Sequence, residues 1–427
     1  MPPPLYQTRD TAYMNILTLN AGSNSLKFEI VAAEADSSGS DYRSTFGSSV
    51  VAGAYDNIGK EHSAFTLLEN KQTRHREEIE IRDHGHATRL LFDWIEHGGA
   101  ARKGVRGFED IDRVGHRVVH GADRFSRPAR ITDQVVREIE DLEDLAPLHN
   151  ASALKVIRAA QAKIGSRLPM IAVFDTFFHQ TIPQKAALYP LPLDVARRHR
   201  IRRYGFHGIS HRYMMIRYAQ ITGRSIARLN LITLHLEGGS SATAIQNGKS
   251  VDTSMGFTPL EGLMMGTRSG DIDPAIVTYL MRKENMDSDG VEKFLNKECG
   301  LLAVSGLSAD TRELQQHLSD SSVNLALNMF SYRVRKYIGA YLAVLGGAEA
   351  IVVGGGIGEN TPVVRERIFE GFDWCGAVLD RQRNNNTIDR EAPITTPESS
   401  IQVWVIPTQE GLMMAKDVVD YDDRSDR

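Results

Sequence analysis

The stretch Asn15-Ile16-Leu17-Thr18-Leu19-Asn20-Ala21-Gly22-Ser23-Asn24-Ser25-Leu26-Lys27-Phe28-Glu29-Ile30 decides the fold of this chain. Asn15 to Leu19 has the composition of a strand. Asn20 to Ser25 is a small polar tip, and Leu26 to Ile30 strictly alternates apolar and polar residues. The pattern predicts a hairpin with a tight polar turn. A similar unit lies half a chain away. Leu229 to Leu236 is strand-like and runs into a second tip, Glu237-Gly238-Gly239-Ser240-Ser241. Ala242-Thr243-Ala244-Ile245 then leads to a turn at Asn247-Gly248. Two such hairpins suggest two related domains.

A third segment completes the outline. Ala350 to Val353 reads as a buried strand entering a glycine loop, Gly354-Gly355-Gly356-Ile357-Gly358-Glu359-Asn360, and Thr361-Pro362 opens a helix. Before it, Val323, Leu327, Phe330, Val334, Tyr337, Ile338, Tyr341 and Leu345 recur at helical spacing, and Gly346-Gly347 ends the pattern. Strands alternating with helices make the class α/β. Residues 1–13 read as a loose extension and Asp420 to Arg427 as a frayed charged tail. Residues 32–80 are polar and carry no clear pattern.

The chain has 427 residues, enough for two or three domains. Its 50 Lys+Arg against 54 Asp+Glu give no whole-chain attraction to nucleic acid or an anionic membrane. With 41% hydrophobic and 24% charged residues it has the composition of a folded domain, not of a disordered one. No apolar run approaches the roughly 18 residues of a membrane span. Met1-Pro2-Pro3-Pro4 does not open a secretory signal. Two cysteines, Cys299 and Cys375, exclude a disulfide framework or a Cys-built zinc site. A cytoplasmic protein is expected.

Both hairpin tips and the glycine segment have residues small enough for backbone N–H groups to approach an anion. Lys27, just after the first tip, could reach a phosphate. The alternative is three ordinary turns. Arg117 sits inside the β-branched run Val114-Gly115-His116-Arg117-Val118-Val119-His120-Gly121, where an unpaired cation is costly. It is either paired structurally or aimed at an anionic ligand. Asp175, after Ala172-Val173-Phe174, is a carboxylate at the ligand edge of a sheet or a helix N-cap. His207 and His211, spaced i and i+4, raise a metal site, but Gly208 between them disfavours a clean helix. One catalytic or phosphate-contacting histidine and one structural histidine is the preferred division. Asp252 to Pro274 is too rich in Gly, Pro and Met for regular structure, and loops of that length are often functional. Within it, Arg268 has free approach to a ligand, while the Met-rich stretch reads as loop packing.

Six of these segments, in this order, resemble the acetate and propionate kinase family: Leu19-Asn20-Ala21-Gly22-Ser23, His116 to Gly121, Phe174-Asp175-Thr176, Tyr204-Gly205-Phe206-His207-Gly208, Asp252 to Pro274, and Gly355 to Asn360. The resemblance spans Asn15 to about Val419. It implies a two-domain, actin-like ATPase (ribonuclease H-like) α/β fold, with duplicated mixed sheets flanked by helices and an interdomain nucleotide cleft. Residues 14–177, completed by 408–427, would be the acyl- and phosphate-binding domain, and 178–407 the nucleotide-binding and dimerisation domain. The implied activity is reversible phosphoryl transfer between ATP and acetate, giving ADP and acetyl phosphate, by a homodimer that uses Mg2+, with Mn2+ as a substitute. Propionate or butyrate kinase, a pyrophosphate-linked enzyme and a non-catalytic nucleotide-binding regulator are the alternatives.

By the same resemblance, Asn20 and Glu410 are the metal-associated pair and Lys27 is a phosphate contact. Arg117 contacts acetate, with Val119, Leu148 and Pro259 around its methyl group. Asp175, His207 and Arg268 are the catalytic set. His235, Leu236, Glu237, Gly238 and Gly239, then Asp310, Thr311 and Arg312, then Gly356, Ile357, Gly358, Glu359 and Asn360 are the nucleotide segments. Acetate is ionised at neutral pH and needs no general base. Asp175 is therefore expected to orient Arg117, the metal's water shell or the incoming carboxylate. Four segments depart from the family pattern. Glu237-Gly238 replaces Gly-Asn, Gly354 often is Thr, Asn24 stands in a Ser-Ser-Ser run, and Gln409-Glu410-Gly411 replaces Asn-Glu-Glu.

Overall fold

The computed structural model describes residues 13–34, 46–69, 72–145 and 147–421. The chain divides into two compact units. The first combines residues up to Phe177 with the segment from Glu410 onward; the second is Phe178–Gln409.

The first unit is built on eight strands: β1 Tyr13–Ala21, β2 Ser25–Glu34, β3 Ser48–Asp56, β4 Ala64–Glu69, β5 Gln72–Glu78, β6 Arg113–Val118, β7 Ala129–Arg130 and β8 Met170–Phe174, in the order β5-β4-β3-β2-β1-β6-β8-β7. The predicted hairpin is β1–β2, closed by Gly22 N–H donating to Ser25 O at 2.8 Å, with Asn20 opposite Lys27. β6 and β8 follow the helices His84–Glu96 and Pro147–Ile164, so they return parallel to β1. The Glu410–Val419 helix packs on β1, β2 and β6. It lies so close that a Cβ on Gly115 would stand 2.8 Å from Val418 Cγ2.

The second unit has β9 Asn230–Leu236, β10 Ser240–Gln246, β11 Lys249–Thr253, β12 Ala350–Gly354, β13 Ala392–Pro393 and β14 Gln402–Val405, in the order β11-β10-β9-β12-β14-β13. This is β3-β2-β1-β6-β8-β7 strand for strand, with the same parallel and antiparallel partners. The weak hairpin repeat is thus the visible part of a full duplication, and the two mixed sheets flanked by helices are the expected architecture. Ile232, Leu234, Leu236, Ala242 and Ala244 pack against the predicted long helix, Ser321–Leu345, through Val323, Leu327, Phe330, Val334, Ile338, Tyr341 and Leu345. Asp320 caps its start and left-handed Gly346 its end.

Four expectations are corrected. Tyr13, assigned to the loose extension, is the first residue of β1, and its hydroxyl donates to Glu34 at 3.0 Å. Asp420 and Tyr421, assigned to the tail, are tied down: the Asp420 N–H donates to Lys416 O, and Tyr421 is buried with its carbonyl accepting from Arg113. Residues 1–12 and 422–427 lie outside the described residues. The unpatterned 32–80 region carries β3, β4 and β5. The glycine loop is a helix, Gly355–Asn360. Gly355 turns into it at φ 78°, over Leu236, where a Cβ would sit 2.6 Å from a carbonyl oxygen. Pro362 opens the next helix, Pro362–Phe369, as predicted.

Arg365 in that helix is fully buried. Its guanidinium donates to the carbonyls of Gly358, Glu359, Asn384 and Thr387 and to Asn384 Oδ1, at 2.6–3.0 Å. Burial lowers its pKa to about 10. A cation on the carbonyl end of the Gly355–Asn360 helix also suits the helix dipole. Arg365→Leu strands five buried acceptors, and a loss of about 3–5 kcal/mol is expected. Urea unfolding measures it; an unchanged midpoint would refute this role.

Among the described residues no helix is long and apolar enough to cross a membrane.

Candidate active site

The sheet order of the first unit assembles one polar cluster. β1 and β6 are parallel neighbours with Leu19 beside His116, so Asn20 and Arg117 meet at the ends of their strands. β8 lies beside β6 with Phe174 opposite Val118, which delivers Asp175 to the same edge. Arg117 Nε and Nη2 donate to the two oxygens of Asp175 at 2.9 and 2.5 Å. Arg117 Nη1 donates to Asn20 Oδ1 at 2.9 Å, and Asn20 Nδ2 to Glu410 Oε2, also at 2.9 Å. Glu410 opens the C-terminal helix, and its carboxylate is 3.9 Å from Arg117. The Asp175 side chain is completely buried, whereas those of Arg117 and Glu410 keep 15% and 22% exposure. The cation in the strand is therefore paired, and its side chain is still partly exposed. In formal charges, one guanidinium faces two carboxylates.

The segment after Arg117 is braced from two sides. Asn150 bonds both backbone groups of His120, and Thr176 Oγ1 accepts from Gly121 N–H. Val119 is buried within it. Leu148 lies in the Pro147–Ile164 helix, with its side chain outside the described residues. Pro259 belongs to the second unit, where its carbonyl accepts from Arg268. Lys27 is exposed on β2. The first tip is pinned by His84, whose Nε2 is 2.8 Å from Gly22 O.

A second cluster lies at the β9–β10 tip. His207 stands at the entrance of the Gly208–Thr222 helix with φ 56°, a left-handed conformation uncommon for a side-chain-bearing residue. Gly239 lies beneath it: a Cβ there would be 3.5 Å from His207 Nε2 and 3.6 Å from Arg268 Nη1. Histidine, arginine and glycine tip thus converge on one small volume. Burial lowers the pKa of Arg268. Gly266, from the long Asp252–Pro274 segment, donates to Gly238 O at 3.1 Å and supports the tip. Met255, Met264 and Met265 of that segment are core packing, as predicted. His235 is buried, its ring 4.5 Å from that of His207. Leu236 faces the core. Glu237 is half exposed with Oε2 3.5 Å from His235 Nε2. His211 is fully buried on Thr233 and Ser241, at 2.7 and 2.8 Å. Burial, then His179 and His235, hold its pKa well below the usual range.

The remaining segments expected at the nucleotide lie on helices and their caps. Asp310 caps Thr311–Leu314 through Arg312 N–H and pairs with the Arg312 side chain. Thr311 is buried. In Gly355–Asn360, Ile357 joins the core, and a Cβ on Gly358 would touch Val353. Glu359 Oε1 accepts from Thr408 N–H and Oγ1 at 2.9 and 3.1 Å. Gly356 and Asn360 are left at the helix surface.

Two of the departures have structural reasons. A Cβ on Gly354 would stand 2.8 Å from Met214 Sδ and Ile406 O. A Cβ on Gly411 would stand 1.9 Å from Glu29 Oε2, so Glu29 fills the space that a side chain there would take. Glu29, Ser241, Arg365 and His84 were missed in the sequence. Only Ser241, within a small-residue tip, left a signal there.

The chain matches the acetokinase family over residues 15–416. It is 46% identical over 418 residues to the acetate kinase of Chloroherpeton thalassium, covering 95% of this chain and 98% of that one. It is also 46% identical over 411 residues to the acetate kinase of Solibacter usitatus, with the same coverage. Among solved structures, Porphyromonas gingivalis acetate kinase superposes with a TM-score of 0.84 at 37% identity, covering 95% of this chain and 98% of that one. A propionate kinase from Francisella tularensis gives the same TM-score and coverage at 35% identity. Match, coverage and fold agree: the chain belongs to the acetokinase family.

Proposed function

We propose that this protein is an acetate kinase, transferring the terminal phosphoryl group of ATP to acetate and reversing the reaction from acetyl phosphate and ADP. The observation that carries the reading is Arg117, held by Asp175 and Asn20 next to Glu410, with its side chain partly exposed. A guanidinium so fixed is a preorganised cation for a carboxylate or a phosphoryl oxygen. The acceptor oxygen is already an anion, so catalysis needs alignment and charge neutralisation. Asp175, with both oxygens on Arg117, orients that side chain rather than removing a proton. His207 and Arg268 supply donors at the Gly239 tip for the equatorial oxygens. The first unit carries the acyl and metal functions, the second the nucleotide function.

The residues fit a Mg2+ site. Glu410 is a partly exposed carboxylate next to an amide, the sparse donor set of an ion held otherwise by water and phosphate. Glu410 and Asn20 would hold it, and when bound it offsets phosphate charge. Work in the cytoplasm as a homodimer belongs to the same reading. Leu325 and Tyr332 on the long helix, 53% and 61% exposed, offer apolar contact for a second copy.

Propionate is the second acceptor to weigh, because a propionate kinase is among the structural relatives. Hydroxylamine trapping of acyl phosphate tests the reading, with ATP or pyrophosphate as donor and acetate or propionate as acceptor. Product is expected with ATP and acetate, and none after chelation of divalent ions. Product with pyrophosphate alone would transfer the assignment to that donor. ATP binding without product would favour a non-catalytic regulator.

A further inference from the structure

The polar face of β9 and β10 carries Thr233, His235, Ser241 and Thr243, with Ser241 directly opposite His235. Ser241 is fully buried, and its hydroxyl stands between two imidazoles, 2.9 Å from His207 Nδ1 and 2.8 Å from His211 Nε2. His211 Nδ1 continues the chain to Thr233 Oγ1 at 2.7 Å. We propose that Ser241 is a positioning residue for phosphoryl transfer, donating to His207 Nδ1 so that the opposite edge of the ring, Nε2–H, faces the Gly239 tip. This rests on the acetate kinase reading.

A serine hydroxyl has one proton, so it donates to one ring and accepts from the other. His211 is deeply buried and neutral, with one N–H to give. Two directions satisfy the chain. In one, Thr233 donates to His211 Nδ1, His211 Nε2–H donates to Ser241, and Ser241 donates to His207 Nδ1. The proton of neutral His207 then lies on Nε2, beside Arg268 and the tip. In the reverse direction His207 Nδ1–H donates to Ser241, and a lone pair on Nε2 faces the tip. Anionic phosphoryl oxygens next to Nε2 favour the first direction by charge alone. The left-handed backbone at His207 fixes where the side chain starts, and the Ser241 bond fixes how the ring is turned.

The test is a double-mutant cycle on the full-length protein. Ser241→Ala is expected to lower kcat about 10- to 100-fold, as for loss of an orienting partner, with KM for ATP and acetate within about twofold of the wild type. In the His207→Ala background the same change should cost less than about twofold, because the residue it acts through is gone. Ser241→Thr, which keeps the hydroxyl, should recover most of the loss. Equal losses in both backgrounds, or unchanged turnover of Ser241→Ala, would overturn the proposal. Nitrogen-15 NMR of His207 gives a readout independent of turnover. Nε2–H in the wild type, lost or mixed in Ser241→Ala, supports the assignment; Nδ1–H in the wild type overturns it. If the protein makes no acyl phosphate, the NMR result still decides the Ser241 arrangement and only the kinase reading fails.

Discussion

Acidification from pH 8 to pH 5 is expected to remove about 4 kcal/mol of folding free energy through two histidines, His116 and His179, with His211 acting in the same direction. His116, His179 and His211 are wholly buried. Burial pushes His116 down to about 3 and His179 to about 4, and holds His211 well below its ordinary value. In the folded chain His116 and His179 stay neutral at pH 5, while in the unfolded chain each binds a proton below about 6.5. A depressed folded pKa contributes stability that is complete above the unfolded value and lost as pH falls below it. At about 1.4 kcal/mol per pH unit, the span from 6.5 to 5 costs about 2 kcal/mol for each histidine. His116 lies in the first unit and the other two in the second, so separate transitions would shift unequally with acid. Among the described residues neither ring nitrogen of His116 has a hydrogen-bond partner, so His116→Leu strands none of them and should remove one proton from the slope. Urea midpoints that stay constant from pH 8 to pH 5.5 would sink this account.

Replacing Arg117 is the second large expectation. Arg117→Leu should lower kcat/KM for acetate by about a hundred- to a thousandfold, the scale of a lost charge-stabilising donor. It should also destabilise the first unit by about 3–5 kcal/mol, because Asp175 would be a buried carboxylate without its cation. These two losses separate in the double variant. Adding Asp175→Asn removes the stranded charge and should return most of the stability, while activity stays lost. Arg117→Lys keeps the charge but not the two-pronged geometry, and should fall between them. Asp175→Asn alone should raise the KM for acetate and lower kcat through a misaligned Arg117. Near-normal turnover of that variant at saturating metal would rule out its orienting role. Thermal melts beside steady-state kinetics read both quantities.

How much could be read in the sequence depends on whether the signal was local. The two hairpins were legible because alternation and a small polar tip are properties of adjacent residues. The long helix was legible from its spacing and its end from Gly346-Gly347, whereas its Asp320 cap was not read. The depth of the duplication was not, since parallel pairing of β1 with β6 or β9 with β12 joins residues about a hundred apart. β5 left no trace because every residue in it is exposed, as befits an edge strand. Gly355 to Asn360 has the composition of a loop, and only the placement of Gly355 over Leu236 makes it a helix. In the site, Arg117 was conspicuous as a cation in an apolar strand. That its partner is Asp175 depends on β6 and β8 being neighbours. Glu410 was marked only by the family resemblance, while Arg365 and Glu29 carry no local mark, and their contacts exist only in the packed structure.

The C-terminal helix has a consequence for synthesis. The first unit needs Glu410–Val419 to cover β1, β2 and β6, yet the whole second unit separates that helix from the rest of its sheet. On the ribosome, domains generally fold in order from the N-terminus. Here the second unit is translated in full while the first still has an exposed sheet face and no Glu410. The earliest-made strands therefore wait for the latest-made helix. A nascent chain released before residue 410 has Arg117 and Asp175 but lacks the acid beside them, so incomplete products carry an unfinished centre and an apolar surface that quality control can recognise.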